Sequence, residues 1–351
     1  MPARPGKNFW VDLPKPIFVL APMADVTDAA FRRLIAKYSK VPSGVPFVTY
    51  TEFVSADGLA LAPQEGRDKL LRNLLFSEAE RPIVAQFFTS TPAHMEAAAK
   101  LAEKLCFDGV DINMGCPDKL IEKQGAGAKL MQNPARAQEL LAAAKRGAPN
   151  LPVSVKTRLG YSKDILEEWL PALLEAKPAA IIVHARTRKE MSLVPARWER
   201  VKRAVEIRNE LGSDTLIIGN GDVRDVEDAK QKIEMSGADG TMLGRAIFGT
   251  PWLFASAATA AQNGLVEAKT TRGPFVEQLQ PSLVQRLRIA VEHSKLFEEL
   301  LGDVKNFAIM KKHFKAYAEG FPGAKELRMQ LIETKNAAEV EQVIEHFLCI
   351  L

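Results

Sequence analysis

Short β-branched apolar runs alternate along most of the chain with longer stretches whose apolar residues recur at helical spacing. The runs are Ile17-Phe18-Val19-Leu20, Phe47-Val48-Thr49-Tyr50, Ile83-Val84-Ala85-Gln86, Val110-Asp111-Ile112-Asn113, Val153-Ser154-Val155-Lys156, Ala180-Ile181-Ile182-Val183, Leu216-Ile217-Ile218-Gly219 and Gly240-Thr241-Met242-Leu243. Such near-continuous hydrophobicity marks strands covered on both faces, as in a parallel sheet. Between them, 95–105, 135–146, 165–175, 198–211 and 226–236 read as helices. Their ends carry the expected chemistry. Asp28, Thr91-Pro92 and Asn133-Pro134 stand at N-termini, and Gly237 closes the helix before the last run.

Eight strand–helix units predict an α/β protein built as a (β/α)8 TIM barrel, and residues 16–260 number 245, near the roughly 250 typical of that fold. A doubly wound open sheet would carry G-x-G-x-x-G after its first strand. Ala21-Pro22-Met23-Ala24-Asp25 stands there instead, which favours the barrel. Residues 1–15, with three prolines, read as an extended arm, 16–261 as the barrel and 262–281 as a linker holding Gly264, Gly273, Pro274 and Pro281. The remainder, 282–351, predicts a small all-helical domain with helices at 282–300, 304–319, 324–333 and 336–349. Leu283, Leu287, Ala290 and Val291 supply its apolar spacing. Its Lys305, Lys311, Lys312, His313, Lys315, Lys325 and Arg328 would, on charge alone, be a solvated face.

Composition narrows the class. With 47% hydrophobic and 26% charged residues among 351, the chain can bury a full core as a soluble globular protein. Its three cysteines, Cys106, Cys116 and Cys349, form no CxxC pair and fit a reducing, cytoplasmic setting. The N-terminus has no apolar core of a secretory signal, and no apolar run is long enough to span a membrane. A net charge of +4 permits an anionic partner such as RNA without requiring one.

In a barrel the C-terminal strand ends face the active site. Those ends carry Pro22-Met23, Gln86, Asn113 with Cys116, Lys156, His184 with Arg186, Asn220-Gly221-Asp222, and Gly244-Arg245. Any one of these has an ordinary structural explanation; Cys116 alone would most simply be a small buried hydrophobe. Polar or basic groups at six of eight ends make a convergent site the better reading. The glycines and arginine after the seventh and eighth runs suit a phosphate group. There is no GxxxxGK[ST] string and no metal-ligand spacing, so nucleotide hydrolysis and metal catalysis fit poorly. FMN fits well. Lys156 would stabilise charge near flavin N1 and C2=O, and Gln86 would meet the pyrimidine edge. Cys116, with an ordinary thiol pKa of ~8.5, could serve as the general acid.

The strings Ala21-Pro22-Met23-Ala24-Asp25-Val26-Thr27-Asp28 with Phe31-Arg32, Asp111-Ile112-Asn113-Met114-Gly115-Cys116-Pro117, Gly125-Ala126-Gly127-Ala128-Lys129-Leu130-Met131, Val155-Lys156-Thr157-Arg158-Leu159-Gly160, His184-Ala185-Arg186-Thr187-Arg188, Gly219-Asn220-Gly221-Asp222-Val223 and Gly244-Arg245-Ala246 together resemble the tRNA-dihydrouridine synthase (Dus) family. The resemblance implies an FMN-dependent barrel, recharged by NADPH, that reduces the C5=C6 bond of a uridine in tRNA. It makes Cys116 the proton donor to C5 and assigns FMN to Pro22, Met23, Ala24, Gln86, Lys156, His184, Asn220, Gly221, Asp222, Gly244 and Arg245. Asn113 and Arg186 would face the uracil or its phosphate, and the helical C-terminal domain would bind tRNA. A monomer without metal or membrane association is expected. Gly125-Ala126-Gly127 would be a flexible return that lets the Cys116 loop close over the base. The loop Lys189-Glu190-Met191-Ser192-Leu193-Val194-Pro195 departs from the Gly/Tyr-containing loop often found in the family, which leaves the position of the substrate uridine open.

Two other readings remain. An FMN barrel reducing a small pyrimidine or enone would explain the strand ends but give the basic helices no task. A non-catalytic RNA-binding barrel would be colourless and indifferent to loss of the Cys116 thiol.

Overall fold

The computed structural model describes residues 8–40, 45–255 and 281–350. These form two compact units. Among these residues the first comprises 8–22, Phe47–Leu74 and Arg81–Gly244, the second 23–40, 45–46, Leu75–Glu80, 245–255 and 281–350.

The first unit holds a closed, all-parallel eight-stranded barrel. Its strands are β1 (Ile17–Leu20), β2 (Phe47–Ser55), β3 (Ile83–Phe88), β4 (Gly109–Met114), β5 (Val153–Arg158), β6 (Ala180–His184), β7 (Leu216–Asn220) and β8 (Gly240–Leu243). β8 pairs back onto β1 with Ile17 opposite Gly240 and Leu20 opposite Leu243. Strand alternation turns Val110 and Ile112 one way and Asp111 and Asn113 the other. Gln86, Ser154 and Lys156 join the second set. These polar groups inside the barrel are stable only because they bond to one another.

In chain order the helices are α1 (Phe9–Asp12), α2 (Ala29–Ser39), α3 (Ala56–Leu61), α4 (Gln64–Arg72), α5 (Pro92–Lys104), α6 (Lys119–Lys123), α7 (Pro134–Gly147), α8 (Leu166–Glu175), α9 (Trp198–Glu210) and α10 (Val226–Ser236), then α11 (Leu283–Leu301), α12 (Lys311–Tyr317), α13 (Ala324–Glu333) and α14 (Ala337–Cys349). Asp28 and Asn133 cap α2 and α7 through their side chains, and Gly237 ends α10 with φ 69°. Thr91 precedes α5 without a side-chain cap. The arm expected to be extended contains α1, which buries Trp10. The expected linker, 262–281, lies outside the described residues except for Pro281.

In the second unit, Arg32 and Glu80 form a fully buried ion pair at 2.8 Å. Its remaining polar atoms are used: Arg32 donates to the carbonyls of Thr27 and Leu75, and Glu80 accepts from the Ser77 amide and hydroxyl. α11 opens with a complete capping box, Ser282 with Gln285. His313, expected on a solvated face, is instead fully buried beside Phe31, Phe248 and His293. The solvated-face reading fails there because the lysines of α12 point outward while His313 falls on its apolar side. Lys305 and Lys312 meet Asp25 at 3.6 and 3.4 Å.

Candidate active site

A chain of hydrogen bonds runs through the barrel interior to the Cys116 loop. The Tyr50 hydroxyl lies 3.1 Å from Ser154 Oγ, which donates to Asp111 Oδ1 at 2.6 Å. Asp111 Oδ2 accepts from Gln86 Nε2 at 2.7 Å, and Gln86 Oε1 accepts from Asn113 Nδ2 at 3.1 Å. Asn113 Oδ1 in turn accepts from the amides of Gly115 at 3.1 Å and Cys116 at 2.9 Å. This orientation of the Gln86 and Asn113 carboxamides follows from the pattern, since a carboxylate at one end demands a donor. Burial pushes the Asp111 carboxyl up to about 7, against the pull of Ser154, Gln86 and Lys156.

Cys116 is partly exposed and packs on an apolar cluster of Phe53, Phe88, Ile121 and Ala126. Burial raises its thiol pKa above the ordinary thiol value, while the Asp118 amide, Lys156 and Arg158 draw it back. Gly127 lies directly beneath: a Cβ there would stand 2.8 Å from the Cys116 carbonyl oxygen. The Ala128 amide donates to that same oxygen at 2.9 Å. Gly125-Ala126-Gly127 is therefore a close-packed support with Ala126 and Gly127 buried, not the flexible return expected from the glycines.

Lys156 Nζ reaches Asn220 Oδ1 at 3.3 Å, and Asn220 is itself held by donating to the Met242 carbonyl at 2.8 Å. Burial, then Arg158, lower Lys156 to about 8. Arg158 is buried and bonds to backbone carbonyls. Its Nε donates to the Gly115 carbonyl at 2.8 Å and its Nη1 to those of Thr187 and Met191 at 3.1 and 3.0 Å. It thereby ties the Cys116 loop to the loop after β6. Arg186 donates to the Val194 carbonyl, lies 3.3 Å from His184 Nε2 and pairs with Asp222. The Asp222 carboxylate also accepts from the Ala196 amide at 2.9 Å.

The structure thus brings Gln86, Asn113, Cys116, Lys156, His184, Arg186, Asn220, Gly221 and Asp222 to the C-terminal ends of β3 through β7, with Pro22 and Gly244 just past β1 and β8. Gln86 is wholly buried under Asn113, and Arg186 is engaged by Asp222. Met23, Ala24 and Arg245 belong to the second unit. There the Met23 amide donates to Thr27 Oγ1 at 2.9 Å, Ala24 is exposed, and Arg245 opens a short 3-10 turn. Asp111 and Arg158 were not singled out from the sequence. Period two along β4 and β5 would have placed them beside Asn113 and Lys156.

Two features suit a phosphorylated, aromatic cofactor. Gly221 and Gly244 stand just past the C-terminal ends of β7 and β8. Gly221 adopts φ 126°, and a Cβ there would come within 2.8 Å of Ala196 Cβ and 3.2 Å of the His184 ring, so only glycine leaves that amide approachable. The partly exposed, cationic Lys156 answers to an electron-rich ring. Among the described residues, no group of three His, Cys, Asp or Glu could hold a metal ion, and no helix is long and apolar enough to cross a membrane.

The family model described as "Dihydrouridine synthase (Dus)" matches residues 19–350. A Bacillus subtilis (strain 168) protein named "Probable tRNA-dihydrouridine synthase 2" is 38% identical over 343 residues, 97% of this chain and 97% of its own length. A Staphylococcus aureus (strain COL) protein named "Probable tRNA-dihydrouridine synthase" is 36% identical, covering 97% of this chain and 96% of its own. Among solved structures, a 2-naphthoyl-CoA reductase bound to 2-naphthoyl-CoA is similar in fold, with a TM-score of 0.50 and 10% identity over 71% of this chain and 50% of that one.

Proposed function

From the premise that the chain belongs to the dihydrouridine synthase family, we propose that it reduces the C5=C6 bond of a uridine in tRNA, using FMN recharged by NADPH, in the cytoplasm. The observation that carries this reading is the Cys116 thiol, held at the barrel mouth by the Asn113 hydrogen bond to its amide and packed on apolar side chains, where burial raises its pKa. Saturating C5=C6 takes a hydride and a proton, and reduced FMN, when bound, supplies hydride chemistry at C6.

The chain's own residues supply the rest. Cys116 gives its proton to C5. The thiolate left behind is stabilised by the positive charges of Lys156 and Arg158 and by the Asp118 amide, the groups that already oppose the rise of its pKa. Asn113 fixes the loop that carries the thiol, and Gln86, held by Asp111, would set the orientation of Asn113 at the ring edge. Lys156 would hold the flavin pyrimidine edge, while the Gly221 and Gly244 amides would take the phosphate. Pro22, His184, Asn220 and Asp222 would frame the same pocket. The arginine pairing of Asp222 suggests that Arg186 orders the loop after β6 as well as meeting substrate. Basic residues of the second unit such as Lys311 and Lys315 are the proposed contacts to tRNA phosphates.

The test is to incubate the purified protein with NADPH and tRNA lacking dihydrouridine, and to sequence the product by mass spectrometry. Dihydrouridine at a defined position, with none formed from free uridine or uracil, is the expected result. Reduction of the free bases at a comparable rate would favour the small-molecule reductase instead.

A further inference from the structure

The loop at 189–195 displays three apolar side chains to solvent: Met191 is 40% exposed, Leu193 85% and Val194 38%. Exposed apolar side chains are common singly, but three within four residues are not, and such patches mark contact surfaces. The loop is also braced. Buried Arg158 holds the Met191 carbonyl at 3.0 Å, and Arg186 holds that of Val194 at 2.5 Å. Glu190 accepts from the Thr187 amide at 2.6 Å and from Arg197 at 3.0 Å, and the Leu193 amide closes a turn onto the Glu190 carbonyl at 2.9 Å. Met191 sits at φ 55°, a strained conformation for a non-glycine residue. A rigid, strained prong of apolar side chains is poorly explained as a solvated loop.

Its surroundings indicate the partner. Arg158 also holds the Gly115 carbonyl, so one guanidinium joins the prong to the Cys116 loop. On the adjoining rim, the Tyr161 ring lies 5.3 Å from both Lys129 Nζ and the Arg188 guanidinium carbon. Lys129, Lys163 and Lys189 are exposed. The carboxylates of this rim are committed, Glu122 to Arg188, Glu190 to Arg197 and Asp222 to Arg186. Spare positive charge, a flat aromatic ring and an apolar point tied through Arg158 to the Cys116 loop together fit a polyanion with stacked bases.

We propose that this loop is an extraction wedge: Leu193, flanked by Met191 and Val194, enters the RNA base stack in the place of the target uridine, while the Lys129–Tyr161–Arg188 rim holds the adjoining nucleotide. The proposal rests on the tRNA reading above and adds the means by which a stacked uridine is brought to Cys116. A base acted on inside a folded nucleic acid must first leave its stack, and apolar side chains commonly take the vacated space.

The test uses full-length protein and tRNA carrying 2-aminopurine beside the uridine that the wild-type protein reduces. The wild type should raise 2-aminopurine fluorescence on binding. Leu193→Ser should still bind tRNA but fail to raise it, and should form dihydrouridine more slowly by roughly ten- to hundredfold, the worth of one buried leucine side chain. Leu193→Met should restore both. Unchanged fluorescence and rate in Leu193→Ser would overturn the proposal, as would a loss of tRNA affinity with the fluorescence per bound tRNA unaltered. No dihydrouridine from the wild type would be a separate outcome, removing the tRNA reading and the wedge with it.

Discussion

At the scale of single residues, Asn113 and Lys156 are where small changes should tell most. Asn113→Ala removes the acceptor of the Gly115 and Cys116 amides and the donor to Gln86. Leaving such groups unpaired should cost ~1–3 kcal/mol of stability, read as a lowered urea midpoint, and the loosened thiol loop should slow uridine reduction more than it weakens tRNA binding. Lys156, lowered to about 8 by burial and Arg158, carries its charge below that pH and loses it above. Burial pushes the Cys116 thiol up, so its own titration moves away from this window rather than into it. Uridine reduction should therefore fall on an alkaline limb near pH 8 that belongs to Lys156, and Lys156→Arg should move that limb upward if it still binds flavin. A limb unchanged in Lys156→Arg would assign it to another group. The strand-end positions of both residues were legible from period-two alternation. Their partners were not, because the Asp111–Gln86–Asn113 chain and the carbonyl contacts of Arg158 join strands and loops far apart in sequence.

Among elements, the barrel strands were legible from short β-branched apolar runs, although Gln86, Asp111, Asn113 and Ser154 place polar groups in the barrel interior. β2 was the exception: it continues past the apolar run to Ser55, through a register irregularity between Tyr50 and Phe53 and a buried Glu52. α4 was not anticipated, since it buries no residue and so carries no apolar stripe. In the second unit, packing hides polar chemistry that a charge pattern suggests should be exposed. His293 and His313 are fully buried with ring centroids 4.4 Å apart, and Phe31 and Phe248 pack against them. Burial, then the other histidine for His293 and Lys312 for His313, depress both pKa values, His313 to about 3. Tyr317, bonded to His293 at 3.3 Å, stays neutral with a raised pKa, as does Tyr38 beside Glu292. The unfolded histidines bind protons more readily than the folded ones, so their contribution to stability is intact above about pH 6.5 and is lost as pH falls. The loss should approach ~1.4 kcal/mol per pH unit for each histidine, and His313→Phe should flatten the acid side of a pH–Tm curve. An identical acid slope in that variant would count against the buried neutral pair. Glu80→Ala, which strands Arg32 in the interior, should destabilise the protein by ~3–5 kcal/mol, measured by urea unfolding.

For the whole molecule, a net charge of +4 is modest, so recognition of tRNA must come from where the charge is placed and not from its total. On the proposed reading the barrel supplies the chemistry, and the helical C-terminal part was legible from apolar spacing, except that the helix expected over 304–319 is a 3-10 turn at Phe307–Met310 followed by the shorter α12. Cys116 is proposed to deliver the proton that completes uridine reduction. That role is tested by Cys116→Ala, prepared with its flavin and assayed on tRNA lacking dihydrouridine. The variant should stay yellow, its flavin should still be bleached by NADPH, and dihydrouridine formation should collapse. Full dihydrouridine formation by Cys116→Ala would contradict the account.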